Sequence, residues 1–235
     1  PGRAEETLAL LRARYDLVLV HGDPTVATLD ASFPPAAEIA EHTRYTGYVA
    51  PEAPSAPVPP SGEIVISAGG SGVGLPLLRA ALRARELSAH KDRTWRILLG
   101  GGIDPADASA LAADAGPGVV VEKARGDFLT LLAAAEVSVS QAGYNTVMDV
   151  LTTRARAVFV PYVGPGESEQ SERAARLARR LTGIAVVSEA ELSPAHLAAA
   201  VDRVASLPRP DTSGIDLAGA RRSAALIEAE LEKRA

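Results

Sequence analysis

The chain has 235 residues, 47% of them hydrophobic and 23% charged, enough for a packed core in one large or two small domains. Its formal net charge of -5, with acids and bases interspersed, argues against a basic groove for nucleic acid. With no cysteine, disulfides and thiolate metal sites are excluded, which fits a reducing cytoplasm. The histidines, His21, His42, His90 and His196, are scattered without ligand spacing, so no zinc site is expected. No apolar run reaches the roughly 18–20 residues that span a bilayer, and no signal peptide is visible. The chain starts at Pro1 with a helical pattern already under way and reads as a fragment or processed piece.

Residues 5–14 read as a helix with Leu8 and Leu11 on one face, followed by a short buried strand over 16–21 that Gly22-Asp23-Pro24 ends. Pro34 and Pro35 precede a helix or irregular turn over 36–41, and 44–49 is a second short strand. Residues 51–60 then hold five prolines among alanine and serine. Such a segment can neither pair inside a sheet nor continue a helix, so it is extended and marks the best domain boundary.

Beyond it, strand and helix alternate. Strands are expected at 63–67, 94–99, 118–122, 137–140, 157–160 and 184–187. Helices are expected at 75–87, 106–115, 128–134, 145–151, 168–181 and 194–206. Alternation of this kind predicts a parallel sheet with helices on both faces and right-handed crossovers. A last amphipathic helix is expected over 217–233, after a loop with Pro208 and Pro210. Arg173, Arg176, Arg179 and Arg180 are spaced as a solvated helix face.

The most informative segment is Ser140-Gln141-Ala142-Gly143-Tyr144-Asn145-Thr146-Val147-Met148-Asp149. A strand stops at a small residue and a glycine, and a helix then begins. Its free backbone N–H groups favour an anion. Asp149 lies about a turn and a half further on, where a carboxylate could accept from ribose hydroxyls. Gly69-Gly70-Ser71-Gly72-Val73-Gly74 forms a second strand-to-helix junction, in which glycines allow close backbone approach and Ser71 can donate to a phosphate. It is neither a Walker loop nor a clean dinucleotide fingerprint. Gly100-Gly101-Gly102 follows a strand at the same sheet edge, where a tight turn alone would also explain it. In Arg125-Gly126-Asp127-Phe128, Asp127 reads as an N-cap, and the Arg125 backbone and the Phe128 ring could meet a base. Ser168 reads as the cap of the helix that carries Glu169 and Gln170, within the segment that starts at Gly164.

The run from Gln141 to Asp149 resembles the donor motif of GT-B glycosyltransferases, in which a glycine is followed by Asn-Ser/Thr and an acid lies six residues on. Val158-Phe159-Val160-Pro161-Tyr162, then Glu169-Gln170 and Arg173-Ala174, resembles the next segment of that motif. Over residues 62–207 the chain is most similar to the glycosyltransferase family 28 C-terminal domain, which MurG-type enzymes carry. That resemblance implies an α/β fold with a Rossmann-like parallel sheet flanked by helices, the C-terminal half of a GT-B fold with a remnant of the N-terminal domain. The implied division is 1–50 as the end of the acceptor-side domain, 51–61 as linker, 62–207 as donor-binding domain and 208–235 as a helix returning toward the first domain.

It also implies site roles. Gly70, Ser71 and Gly72 would meet the diphosphate, and Arg125 and Phe128 would flank the base. Gly143, Tyr144, Asn145 and Thr146 would line the phosphates and sugar, with Gln141 beside them. Asp149 would hold the ribose, and Glu169 and Gln170 the donor sugar. Two positions depart from the family pattern: Asp149 stands where glutamate is usual, and neutral Gln141 where histidine or arginine is common.

The implied activity is that of a hexosyltransferase. A sugar linked to UDP would pass to an acceptor hydroxyl by an inverting displacement, the leaving diphosphate being held by helix N-termini rather than by a metal. No cofactor and no metal are expected, and no Asp-x-Asp motif is present. The acceptor is unknown, nucleic acid is not expected as a partner, and His21 is a candidate base. A bacterial, cytoplasmic protein is expected, with the full-length form able to sit at the inner face of the membrane. A nucleotide-sugar hydrolase or epimerase of the same fold, or a non-catalytic nucleotide-sugar-binding domain, remain as alternatives, because fold does not settle function.

Overall fold

A computed structural model describes residues 3–70, 72–164 and 168–233. The chain divides into two compact units, Pro1–Pro51 with Ser213–Ala235, and Glu52–Thr212.

The first unit contains helix α1 (Arg3–Arg14), strands β1 (Val18–Val20) and β2 (Thr43–Tyr45), and the final helix α8 (Gly219–Glu232). β1 and β2 pair in parallel, Val18 opposite Thr43 and Val20 opposite Tyr45. The strand expected over 44–49 is cut short because Gly47 takes φ +80°, outside the β region. The helix expected over 36–41 is instead a 3-10 run, Pro34–Ile39. Two adjacent prolines have no N–H to donate, so only short i→i+3 turns form there. Asp23 is buried and accepts from the Thr25 amide and hydroxyl and from the Asp216 amide, at 2.7–2.9 Å.

The second unit is built on six parallel strands: β3 (Ile64–Ser67), β4 (Trp95–Leu99), β5 (Val119–Lys123), β6 (Val137–Ser140), β7 (Ala157–Phe159) and β8 (Ile184–Val186). Their order is β5-β4-β3-β6-β7-β8. β3 and β6 are central and buried at every position, which is why both read as near-continuous small and apolar runs. Helices α2 (Leu75–Ala84), α3 (Pro105–Ala113), α4 (Phe128–Ala134), α5 (Tyr144–Thr153), α6 (Glu169–Arg180) and α7 (Pro194–Ala205) connect them. Alternate strand residues Ile64, Ile66, Ile97, Val137, Val139 and Val158 pack with Leu77, Leu78, Leu197 and Val201 of α2 and α7. Residues of α4 and α5, including Leu132, Val147, Met148 and Leu151, are buried as well. The helix expected over 75–87 is α2 followed by a tighter 3-10 turn, Arg85–Leu87.

One ion-pair network ties three strands together near the N-terminal side of the sheet. Arg96 of β4 donates to both carboxylate oxygens of Glu63 and to Glu122 of β5, each at 2.8 Å. These hydrogen bonds hold the Glu63 carboxyl below its ordinary value of 4.5, overcoming burial, which acts the other way. A depressed carboxylate pKa contributes stability above its unfolded value, and that contribution is lost as pH falls through the folded one. Glu63→Gln should therefore lower stability at pH 7 by about 1–3 kcal/mol. It should also flatten the loss of stability below pH 4.5, the ordinary value for this group. Denaturant titrations of both proteins at pH 7 and at pH 4 check this; parallel pH profiles would contradict it.

Candidate functional site

The chain leaves β3 toward β4 on one side and leaves β6 toward β7 on the other, although β3 and β6 are neighbours. In an open parallel sheet this divergence opens a crevice beyond the carboxyl ends of the two strands. Three glycine-bearing loops meet there. Gly69, just after β3, takes φ +69°, which side chains rarely tolerate. Gly100, just after β4, presses its Cα against the Gly69 carbonyl so closely that a Cβ would collide with it. The Gly102 amide donates to the Gly70 carbonyl at 2.9 Å, locking the two loops backbone to backbone. Packing alone therefore accounts for Gly100, while Gly70 is exposed and has open space where a side chain would be. Gly72 begins a 3-10 turn that runs to Gly74 and leads into α2. Ser71, and Pro165, Gly166 and Glu167 of the loop after β7, lie outside the described residues.

The third loop joins β6 to α5. Gly143 is the N-cap of α5 and has no side chain to accept from the first-turn amides, and no acid occupies that turn. Tyr144, Asn145 and Thr146 follow as the first helical residues. The end of α5 thus keeps the partial positive charge that a capping side chain would otherwise offset. Gln141 is half-buried, with its side-chain oxygen on the Gly69 side of the loop pair. Asp149 is half-buried in the second turn of α5. Its backbone carbonyl accepts from Thr153 Oγ1 at 2.8 Å. Among the described residues nothing donates to its carboxylate, and burial pushes its pKa above the ordinary 3.8.

Helix α6 brings a cation to this end of α5. The solvated face expected of the arginine cluster holds for Arg179 and Arg180, which are exposed. It does not hold for Arg173, whose side chain is only 14% exposed. Arg173 stands next to buried Ala174 on α6 and turns toward the loop before α5. One guanidinium nitrogen donates to the Ala142 carbonyl at 2.9 Å, another to the Glu169 carboxylate, and Cζ lies 5.7 Å over the Tyr144 ring. Arg173-Ala174 was legible as part of a motif, but nothing in the arginine spacing distinguishes it from its neighbours.

Glu169 is well exposed and engaged by Arg173, and the side-chain oxygen of Gln170 accepts from the Tyr162 amide at 3.3 Å. Two expected caps are not formed. Asp127 precedes α4 but gives its carboxylate to Arg125, at 2.7 and 2.8 Å, because a charged fork competes better than an exposed amide. Ser168 precedes α6 and donates instead to Glu172 at 3.0 Å. The Asp127 pairing occupies the Arg125 side chain, and Phe128 is half-buried at the start of α4. His21 belongs to the first unit, where its Nδ1 lies 3.0 Å from Thr46 Oγ1.

Other cavities lie away from these loops. One of about 800 Å3 in the first unit is lined by Asp23, Tyr45, Asp216 and Arg222. Among the described residues no three histidine, aspartate or glutamate side chains converge on a common metal position, and no helix is long and apolar enough to cross a membrane.

The fold and these loops define a doubly wound α/β domain with a parallel sheet, and comparison with known proteins gives the family. The sequence profile of the glycosyltransferase family 28 C-terminal domain matches residues 64–215, and the chain belongs to that family. An uncharacterized glycosyltransferase of Methanopyrus kandleri is 27% identical over 170 residues, 72% of this chain and 45% of that protein. MurG of Acinetobacter baumannii superposes with TM-score 0.60 at 19% identity, covering 95% of this chain and 64% of its own. The spinosyn rhamnosyltransferase SpnG, solved with thymidine diphosphate, superposes with TM-score 0.53 at 18% identity, covering 87% of this chain and 55% of its own. The chain is a glycosyltransferase domain of the GT-B type and spans less than two thirds of each of these relatives.

Asp149 carries a stability consequence. A carboxyl whose folded pKa is raised contributes stability below its unfolded value and loses it as pH rises through the folded one. At neutral pH the ionised group therefore opposes folding. Asp149→Asn should raise the melting temperature at pH 7, by about 2–4 °C for each kcal/mol recovered in a domain of this size. The gain should shrink toward pH 4, close to the ordinary value of 3.8 for this group. Differential scanning calorimetry across that range checks it, and a lower melting temperature at pH 7 would contradict it.

Proposed function

We propose that the unit Glu52–Thr212 binds the nucleoside diphosphate portion of a UDP-linked hexose in the crevice beyond β3 and β6. The observation that carries this reading is the half-buried Asp149 carboxylate, without a donor among the described residues, a turn and a half beyond the uncapped Gly143 end of α5. The helix end and its amides suit a diphosphate, and a desolvated carboxylate suits a vicinal pair of ribose hydroxyls. Gly70 and Gly72 bring the second loop to the phosphates, the Arg125 backbone and Phe128 flank the base, and Glu169 and Gln170 meet the sugar. The thymidine diphosphate held by SpnG supports a nucleoside diphosphate as the ligand type.

In the longer protein, a base on the acceptor side removes the proton of an acceptor hydroxyl. The oxygen attacks the anomeric carbon as its bond to the diphosphate breaks, giving inversion and a free nucleoside diphosphate. Charge that develops on that leaving group is held by the α5 N-terminus, an arrangement that needs no metal ion.

Isothermal titration of this chain with UDP, UDP-sugars, dTDP and GDP, in EDTA and then in magnesium, tests the proposal. Saturable binding, strongest for UDP, should be unchanged by EDTA. Asp149→Ala should weaken it about 10- to 100-fold, the worth of hydrogen bonds to a charged group. Binding that needs magnesium would overturn metal independence, and no saturable binding of any nucleotide would overturn the donor site itself.

A further inference from the structure

Arg173 is the only guanidinium placed, among the described contacts, on both the loop before α5 and the first residue of that helix. Its hydrogen bond to the Ala142 carbonyl has a geometric consequence. The Ala142–Gly143 peptide is trans, no cis bond occurring among the described residues, so its C=O and N–H point in opposite directions. Holding the carbonyl toward α6 turns the Gly143 N–H away from α6. The guanidinium plane over Tyr144 fixes the other side of the same turn, within the range of a cation–π contact. The counter-ion is Glu169, which is 76% exposed while Arg173 is 14% exposed. A mostly buried cation is therefore neutralised by a carboxylate that water can readily take up.

We propose that Arg173 is an exchangeable cation of the donor site: it rests on Glu169 when the site is empty and transfers to the donor diphosphate when the nucleotide binds, which frees Glu169 for the donor sugar. This rests on the donor-site reading above and extends it to the order of events at that site. The positive charge that neutral Gln141 does not supply in the loop after β6 is supplied from α6. A diphosphate carries more charge than one carboxylate and offers paired oxygens to the guanidinium fork, so it displaces Glu169. Released Glu169 stays in the first turn of α6, next to Gln170. Arg173 is a binding residue in its contact with phosphate and a positioning residue through the Ala142–Gly143 peptide.

The test compares UDP with uridine on the full chain, using wild type, Arg173→Met, Arg173→Lys and Glu169→Gln, with melting temperatures confirming folding. Arg173→Met should weaken UDP by about 10- to 100-fold, the worth of a charge-assisted contact, while changing uridine less than about 3-fold. Arg173→Lys keeps the charge but not the fork, and should fall between the two. The salt dependence of UDP binding should be shallower in Arg173→Met than in wild type. Glu169→Gln should tighten UDP several-fold, because the competing carboxylate is gone, and should abolish any preference for UDP-sugar over UDP. Equal UDP affinity in wild type and Arg173→Met would overturn the role of Arg173 while leaving the donor site standing. Equal losses for UDP and uridine would mean a structural role only, and would overturn it too. A Glu169→Gln protein that binds UDP more weakly would overturn the exchange. If wild type binds neither ligand, the donor-site reading fails and this inference fails with it.

Discussion

The structure depends on one constraint of chain path. Two adjacent parallel strands, β3 and β6, send their continuations in opposite directions, which opens a space beyond their carboxyl ends. Every parallel crossover must pack a helix back onto the sheet, which points helix N-termini toward that space. Glycine at positions 69 and 100 lets the loops after β3 and β4 interlock without filling it. The Gly143 cap leaves the end of α5 without a side-chain acceptor. The crevice is therefore a by-product of sheet topology, and its chemistry comes from what stands at the loop ends.

Two charged groups at that crevice are held in ways that do not favour the empty fold. Asp149 is desolvated without a donor among the described residues, and Arg173 is largely buried against an exposed partner. The network of Arg96 with Glu63 and Glu122 is the opposite case: its charges are mutually satisfied, and it serves the sheet. Sites commonly retain groups whose full stabilisation arrives only with a ligand, and stability elsewhere compensates. The dense apolar packing of α2 and α7 on one sheet face supplies that compensation here.

The alternation of strand and helix was legible residue by residue in the second unit because its core strands are short apolar runs bounded by glycine or proline. The strand over 137–140 and the helix over 128–134 fall where the periodicity puts them. The family, and the loops that form the crevice, were legible for a related reason: a small residue and glycine between a buried strand and an amphipathic helix is a local signal. What stayed hidden was decided by tertiary partners. Asp127 has the right residue type and place for a cap, yet Arg125 takes its carboxylate. Arg173 has the same helical spacing as Arg176 and Arg180, yet it reaches across to the Ala142 carbonyl. The 3-10 run at Pro34–Ile39 was ambiguous in the sequence because two prolines remove donors without saying which turn replaces the helix.

The central claim is that the β6–α5 junction is where a nucleoside diphosphate binds. Backbone amide NMR of the full chain, titrated with UDP, addresses it directly, because each amide reports its own surroundings. The account expects the largest saturating shifts at Gly143, Tyr144, Asn145 and Thr146, with a second group at Gly69, Gly70 and Gly72. Saturating shifts confined to other places, such as the residues that line the cavity at Asp23 and Asp216, would contradict it.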